Sequence, residues 1–160
     1  MNNLFSQKYI FISDKKNQKD VFEEVYNILL KDNLVKEQFL KELLEREKNY
    51  PTGIDLSPIN SQLLNIAIPH TESEFVNQTL IVPIKLEHPI EFKNMMSTDN
   101  TLKVNFIFMI LNNLKEEQAS ILASIMEFLS TTPLETLQSL FSAKTTQQIY
   151  TLLTANFKPI

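Results

Sequence analysis

A single glycine, Gly53, is the feature that most constrains this chain of 160 residues. Loops that cradle the phosphates of a nucleotide, whether of the Walker A or the dinucleotide-binding kind, need several glycines so that backbone N–H groups can approach the anion closely. Both loops are excluded. Any phosphate chemistry here must use a side chain as the phosphoryl acceptor, with donors drawn from helix ends or other side chains. Gly53 itself, following Tyr50-Pro51-Thr52, is read as supplying a turn.

The absence of cysteine removes disulfides, thiolate metal sites and a cysteine nucleophile together, and suits a reducing cytoplasm. With only His70 and His88, and no paired histidines at ligand spacing, no metal is expected, and no other cofactor. A formal net charge of −4 has the wrong sign for gripping a nucleic-acid backbone. The longest apolar run, Phe106 to Leu111, is far short of the roughly 18–20 residues of a membrane-spanning helix, so no direct membrane insertion is expected. The start, Met1-Asn2-Asn3-Leu4, lacks the basic and apolar segments of a secretory signal, and the expected location is the cytoplasm. A 43% hydrophobic content is enough for one core without metal or disulfide support.

Hydrophobic spacing then orders the elements. Lys8 to Ser13 reads as a strand closed by Asp14 as a helix cap, and Asn17 to Asp32 as a surface helix on Val21, Val25, Ile28 and Leu29. A second helix spans about Lys36 to Lys48 on Phe39, Leu40, Leu43 and Leu44, ending before Pro51. Leu63 to Ile68 runs into Pro69-His70, so His70 stands where a strand or loop ends. Thr79 to Leu86 and Lys103 to Leu111 are strands, the first irregular or near an edge because of Pro83, with a short strand over His88 to Phe92 between them. Three helices follow, Lys115 to Ser130, Leu134 to Ala143 and Thr146 to Asn156. The expected fold is α/β, a single-domain mixed β-sheet covered by α-helices over residues 5–155.

Four polar residues carry the chemical reading. His70 follows Ile66-Ala67-Ile68-Pro69, a buried approach that fixes the backbone and leaves the ring at a surface edge, expected to be partly exposed. His88, between Glu87 and Pro89, has no such setting and is read as structural or surface. Arg46 shares the helix face of Phe39 and Leu43; a guanidinium there suits an anion, while an ion pair with one of the glutamates, or snorkelling from the helix end, accounts for it equally well. Gln118 precedes Ile121, Leu122 and Ile125 on an apolar face, as an amide donor or as a helix-edge residue. Thr71 offers a hydroxyl to the same site, or caps the next segment. Brought together, these make a neutral imidazole nucleophile flanked by an arginine and an amide, the arrangement a phosphohistidine carrier needs.

At these residues the sequence resembles the enzyme IIA component of the bacterial phosphoenolpyruvate-dependent sugar phosphotransferase system, in its fructose/mannitol superfamily and galactitol-like branch. The resemblance lies in Arg46-Glu47-Lys48 with Thr52-Gly53-Ile54, in Asn65-Ile66-Ala67-Ile68-Pro69-His70-Thr71, and in His88-Pro89-Ile90-Glu91-Phe92 followed by Met95-Met96. It implies a phosphotransferase in which His70 takes a phosphoryl group from the histidine-containing phosphocarrier protein. The group then passes to a cysteine of an enzyme IIB protein linked to a membrane enzyme IIC. It also implies that Arg46 matches the family's active-site arginine and that galactitol or a related sugar is the cargo. The position of Gln118 is a histidine in mannitol-like members, and Thr71 and Asn65 stand where glycine is frequent. Without a cysteine in this chain, the IIB acceptor is expected to be a separate protein. The alternative the resemblance leaves is a regulatory module like the nitrogen-type members, switched by phosphorylation of the same histidine.

Overall fold

The computed structural model describes residues 3–160; Met1 and Asn2, part of the start read above for export, lie outside the described residues. Asn17 opens the first helix, its side chain accepting the Asp20 N–H, and α1 runs Gln18–Lys31 with Val21, Phe22, Val25 and Leu29 buried along one stripe. It stops at Asn33, whose φ of 60° is the left-handed conformation that asparagine tolerates, while the Leu34 N–H returns to the Leu29 carbonyl at 2.9 Å. The cap is thus Asn17, not Asp14. The second helix, α2, spans Phe39–Asn49. It begins three residues later than its apolar spacing suggested, because Val35 bridges Val76 and the Lys36 N–H is bound to the Phe75 carbonyl.

Five strands form one mixed sheet in the order β1-β4-β5-β3-β2, with β1 Phe11–Ser13, β2 Gly53–Ile54, β3 Asn65–Ala67, β4 Leu80–Lys93 and β5 Thr101–Leu111. β1 lies parallel to β4 and β3 parallel to β5, while β4 with β5 and β2 with β3 are antiparallel. Lys8 and Tyr9 belong to a short turn of 3₁₀-helix ahead of β1 rather than to the strand itself. The segment His88 to Phe92 is not a separate strand. It continues β4 past an irregularity between Lys85 and Ile90, where the register with β5 shifts.

Pro83 sits inside β4, between the edge strand β1 and β5, opposite Phe108. Its missing N–H is harmless there. The Ile81 N–H points away from β5, to the Leu4 carbonyl at 2.8 Å, so the Pro83 nitrogen faces the same side, just before β1 begins pairing at Ile84.

Alternation along β5 sends Ile107 and Met109 to one face and Phe106, Phe108 and Ile110 to the other, and each face carries its own core. α1 and α2 cover the first. The second lies under α3 (Gln118–Thr131), α4 (Leu134–Phe141) and α5 (Thr146–Asn156), the last opened by a capping box between Thr145 and Gln148. The stretch Lys115–Glu117, read from spacing as helix, is a tighter 3₁₀ turn leading into α3.

Gly53 supplies no turn. It pairs with Ala67 across β2 and β3 and has no positive φ. What demands glycine is crowding, since a Cβ here would lie 2.6 Å from the Lys93 carbonyl oxygen and 3.2 Å from the Phe92 Cβ. Gly53→Ala is accordingly expected to destabilise the fold by about 1–3 kcal/mol, read as a lowered urea midpoint at unchanged slope. A midpoint equal to wild type would mean that β2 can shift away from β4 at no cost.

Candidate functional site

His70 stands just beyond β3, held beside β5 by a bridge to Ile110, and the Ile110 N–H donates to the Pro69 carbonyl at 3.0 Å. The buried Ile66-Ala67-Ile68-Pro69 segment therefore fixes the backbone on which the imidazole is mounted. The ring is half-buried, and its Nδ1 lies 2.8 Å from the Ile68 carbonyl oxygen. A carbonyl only accepts, so Nδ1 carries the proton in that bond and Nε2 keeps its lone pair. Burial holds the ring's pKa below the usual histidine value, and Arg46 adds to this; the Ile68 hydrogen bond and Glu72 act in the opposite sense. The ring is thus neutral near pH 7, with one nitrogen free.

Arg46 comes from the last turn of α2, where a cation also suits the helix dipole. Its guanidinium pairs with Glu72 and lies over the Tyr50 ring, 5.2 Å from the centroid. The Nε–H is buried and has no partner among the described residues. An ion pair with a glutamate is therefore present, as one reading of the sequence allowed, yet it leaves this donor unused.

Gln118, the first residue of α3, repeats the pattern. Its Oε1 accepts from Asn112 Nδ2 at 3.0 Å, while its own Nε2 is buried without a partner among the described residues. Asn112 follows β5 two residues after Ile110, the residue that bridges to His70, so Asn112 and its partner Gln118 lie toward the same end of β5 as His70. The Arg46 Nε–H and the Gln118 amide are each a buried donor with no partner among the described residues, which is uncommon in a native structure and suits an added acceptor.

Thr71 is buried, and its hydroxyl donates to the Glu72 carbonyl at 2.9 Å. It does not cap the following turn, since Glu72 holds that position ahead of Ser73–Phe75. Asn65, where glycine was the frequent residue, has its own task. It accepts the Leu56 N–H at 3.2 Å and donates to the Lys103 carbonyl at 3.3 Å, tying the loop before β3 to the sheet. His88 is exposed on β4, apart from these groups.

The sequence reading passed over Glu47, which is 4% exposed. Its carboxylate accepts the Thr52 N–H at 2.8 Å and the Thr52 hydroxyl at 2.7 Å. Thr52 in turn accepts the Ile68 N–H at 3.2 Å, and Ile68 accepts from His70. A buried carboxylate thus begins a hydrogen-bonded chain that ends on the ring. Its signal was legible: Phe39, Leu43 and Glu47 recur four residues apart and form the buried stripe of α2. Glu72 left no comparable periodic mark.

Among the described residues, no group of three or more His, Asp or Glu side chains is placed to hold a metal ion, and no helix is long and apolar enough to cross a membrane.

No individually curated protein matches the chain by sequence. Solved structures do match its fold. The mannitol-specific cryptic enzyme IIA of Escherichia coli superposes with a TM-score of 0.70 at 17% identity, covering 95% of this chain and 96% of that one. The Escherichia coli mannitol enzyme IIA, in a complex with its phosphorylated enzyme IIB, gives 0.70 at 18% identity, covering 94% and 97%. The nitrogen regulatory protein IIA of Neisseria meningitidis gives 0.64 at 18% identity, covering 94% and 96%. At such identities the superpositions establish the fold, a five-stranded mixed sheet with five helices of the mannitol enzyme IIA type. Membership follows from the sequence: residues 3–156 match the family profile, and the chain belongs to the enzyme IIA type 2 family of the phosphoenolpyruvate-dependent sugar phosphotransferase system.

Proposed function

We propose that this chain is a cytoplasmic phosphocarrier domain, residues 5–155, that takes a phosphoryl group on His70 from the histidine-containing phosphocarrier protein. It passes the group to a cysteine of a separate enzyme IIB linked to a membrane enzyme IIC. The observation that carries the reading is the half-buried His70 ring, with Nδ1 committed to the Ile68 carbonyl and Nε2 free beside a guanidinium whose Nε–H is unused. The enzyme IIB in the Escherichia coli mannitol complex supports the acceptor, and galactitol or a related polyol as cargo rests on the motifs around Arg46 and His70.

In the first step the Nε2 lone pair forms the N–P bond as the donor's P–N bond breaks, its electron pair returning to the donor imidazole. The Nδ1 proton stays on the His70 ring, where the Ile68 carbonyl stabilises the positive charge that the ring gains. Arg46, with Gln118 as a neutral donor toward the same end of β5, offsets the charge on the phosphoryl oxygens. Thr71 contributes by fixing the Glu72 backbone rather than by offering its proton to phosphate.

The test is phosphorylation of the purified protein by phosphoenolpyruvate, enzyme I and the phosphocarrier protein, followed by intact mass and peptide mapping. One acid-labile phosphoryl group on residue 70, retained in His88→Ala, is expected. A folded protein that gains none, or gains it elsewhere, would remove the reading. Onward transfer to an enzyme IIB cysteine separates sugar uptake from a nitrogen-type regulatory role, in which the phosphorylated form binds a target and transfers nothing.

A further inference from the structure

Two charged side chains bear on the His70 ring, and they act against each other. The Arg46 guanidinium disfavours a protonated ring, whereas the Glu72 carboxylate favours one. In the resting structure the two are paired together. Glu72 lies two residues past His70, its backbone carbonyl held by the Thr71 hydroxyl, but its side chain is 57% exposed and free to swing into water. The cost of releasing it is small, since exposed ion pairs contribute little.

Charge bookkeeping separates the two states of the site. A neutral imidazole, a guanidinium and a carboxylate leave it neutral at rest. Phosphorylation brings in a doubly charged phosphoryl group and a single positive charge on the ring, so the site becomes net negative. The phosphoryl oxygens then call on the guanidinium that Glu72 holds, and the carboxylate is left facing them.

Resting on the phosphocarrier reading above, we propose that Glu72 is a positioning residue that competes with the phosphoryl group for Arg46 and so keeps phosphorylated His70 poised to give the group up. It fills the arginine's place in the resting site, and its repulsion in the loaded site favours the onward step. There the acceptor thiolate forms the S–P bond, the N–P electron pair returns to the ring, and the ring ends neutral with its Nδ1 proton in place. Glu72 re-forms its pair with Arg46 as the phosphoryl group leaves.

Wild type, Glu72→Gln and Glu72→Asp can be loaded from a phosphoramidate salt and, separately, from the phosphorylated carrier protein. The readouts are the exchange equilibrium with the carrier and the half-life of the acid-labile adduct. Glu72→Gln is expected to shift the equilibrium toward the phosphorylated form by about 5- to 10-fold and to lengthen the half-life by a similar factor. Glu72→Asp should stay within about two-fold of wild type because the charge is kept, and the difference should shrink in about 1 M salt. The unphosphorylated Glu72→Gln protein should also show a lower His70 imidazole pKa by NMR, since the carboxylate that favours the charged ring is gone. Equal equilibria and half-lives in wild type and Glu72→Gln, with both proteins loaded, overturn the role of Glu72 alone. Equal shifts in Gln and Asp would assign the effect to side-chain shape and overturn it too. Failure of wild type and variants to load from either donor would overturn the phosphocarrier reading, and this one with it.

Discussion

Arg46→Ala is expected to slow phosphorylation of His70 by about 10²–10³-fold, the range for losing one preorganised donor to developing charge, while the unfolding midpoint barely moves. The asymmetry follows from how the guanidinium is placed. Its ion-pair partner Glu72 is largely in solvent, and its aromatic partner Tyr50 is 67% exposed, so these contacts together stabilise the fold by about 1 kcal/mol or less. Its buried Nε–H has no partner among the described residues, so truncation removes an unsatisfied donor rather than breaking a bond. Phosphate recognition is where this group is missed. Arg46→Lys should not restore the rate, since an ammonium lacks the planar fork and the Nε–H donor. Single-turnover transfer from the phosphorylated carrier protein, with urea unfolding alongside, measures both quantities. In the same variant the His70 pKa should rise, because the guanidinium that disfavours the charged ring has gone. A rate that falls only in proportion to lost folded protein would return Arg46 to a structural role.

What the sequence made legible was whatever rests on local periodicity. The apolar spacing of α1 and the alternation of β5 predicted elements that the structure contains within a few residues, and the α/β mixed sheet followed from their order. The rest has a different cause. Pro83 pointed to a strand irregular or near an edge, and β4 shifts register past Lys85 beside the edge strand β1. What the sequence did not say is where β1 begins, which is what leaves the missing N–H harmless. Gly53 suggested a turn because glycine's commonest use is conformational, whereas here a strand passes tightly over the Lys93 carbonyl, a contact between residues forty apart in sequence. In the site, the Arg46-Glu47-Lys48 and Ala67-Ile68-Pro69-His70 motifs were visible, but their connection was not. That Glu47 reaches Thr52, Thr52 reaches Ile68 and Ile68 orients His70 depends on β2 lying beside β3.

Glu47 is also where the fold should respond most to pH. Burial pushes its carboxyl pKa up to about 7, against the pull of the Thr52 hydrogen bonds, which favour the charged form. Since the folded-state pKa lies above the unfolded one, the folded chain binds the proton more tightly between the two values. The contribution to stability is therefore full below about pH 4.5 and is lost as pH rises through about 7, amounting to about 3 kcal/mol in all. His70 works in the opposite direction, because its lowered pKa gives stability that is lost on acidification, so the wild-type profile alone does not isolate Glu47. A comparison with Glu47→Gln does. The amide has the shape of the protonated acid and can accept the Thr52 N–H while donating to the Thr52 hydroxyl. Urea unfolding should find the variant about 1–3 kcal/mol more stable than wild type at pH 8, with the gap closing by about pH 5. A variant less stable than wild type at pH 8 would mean that the charged hydrogen bonds to Thr52 outweigh the cost of burying the carboxylate. The expected result instead describes a carboxylate that the fold holds at a loss near neutrality, and its place at the head of the hydrogen-bonded chain to His70 is the structural reason for holding it there.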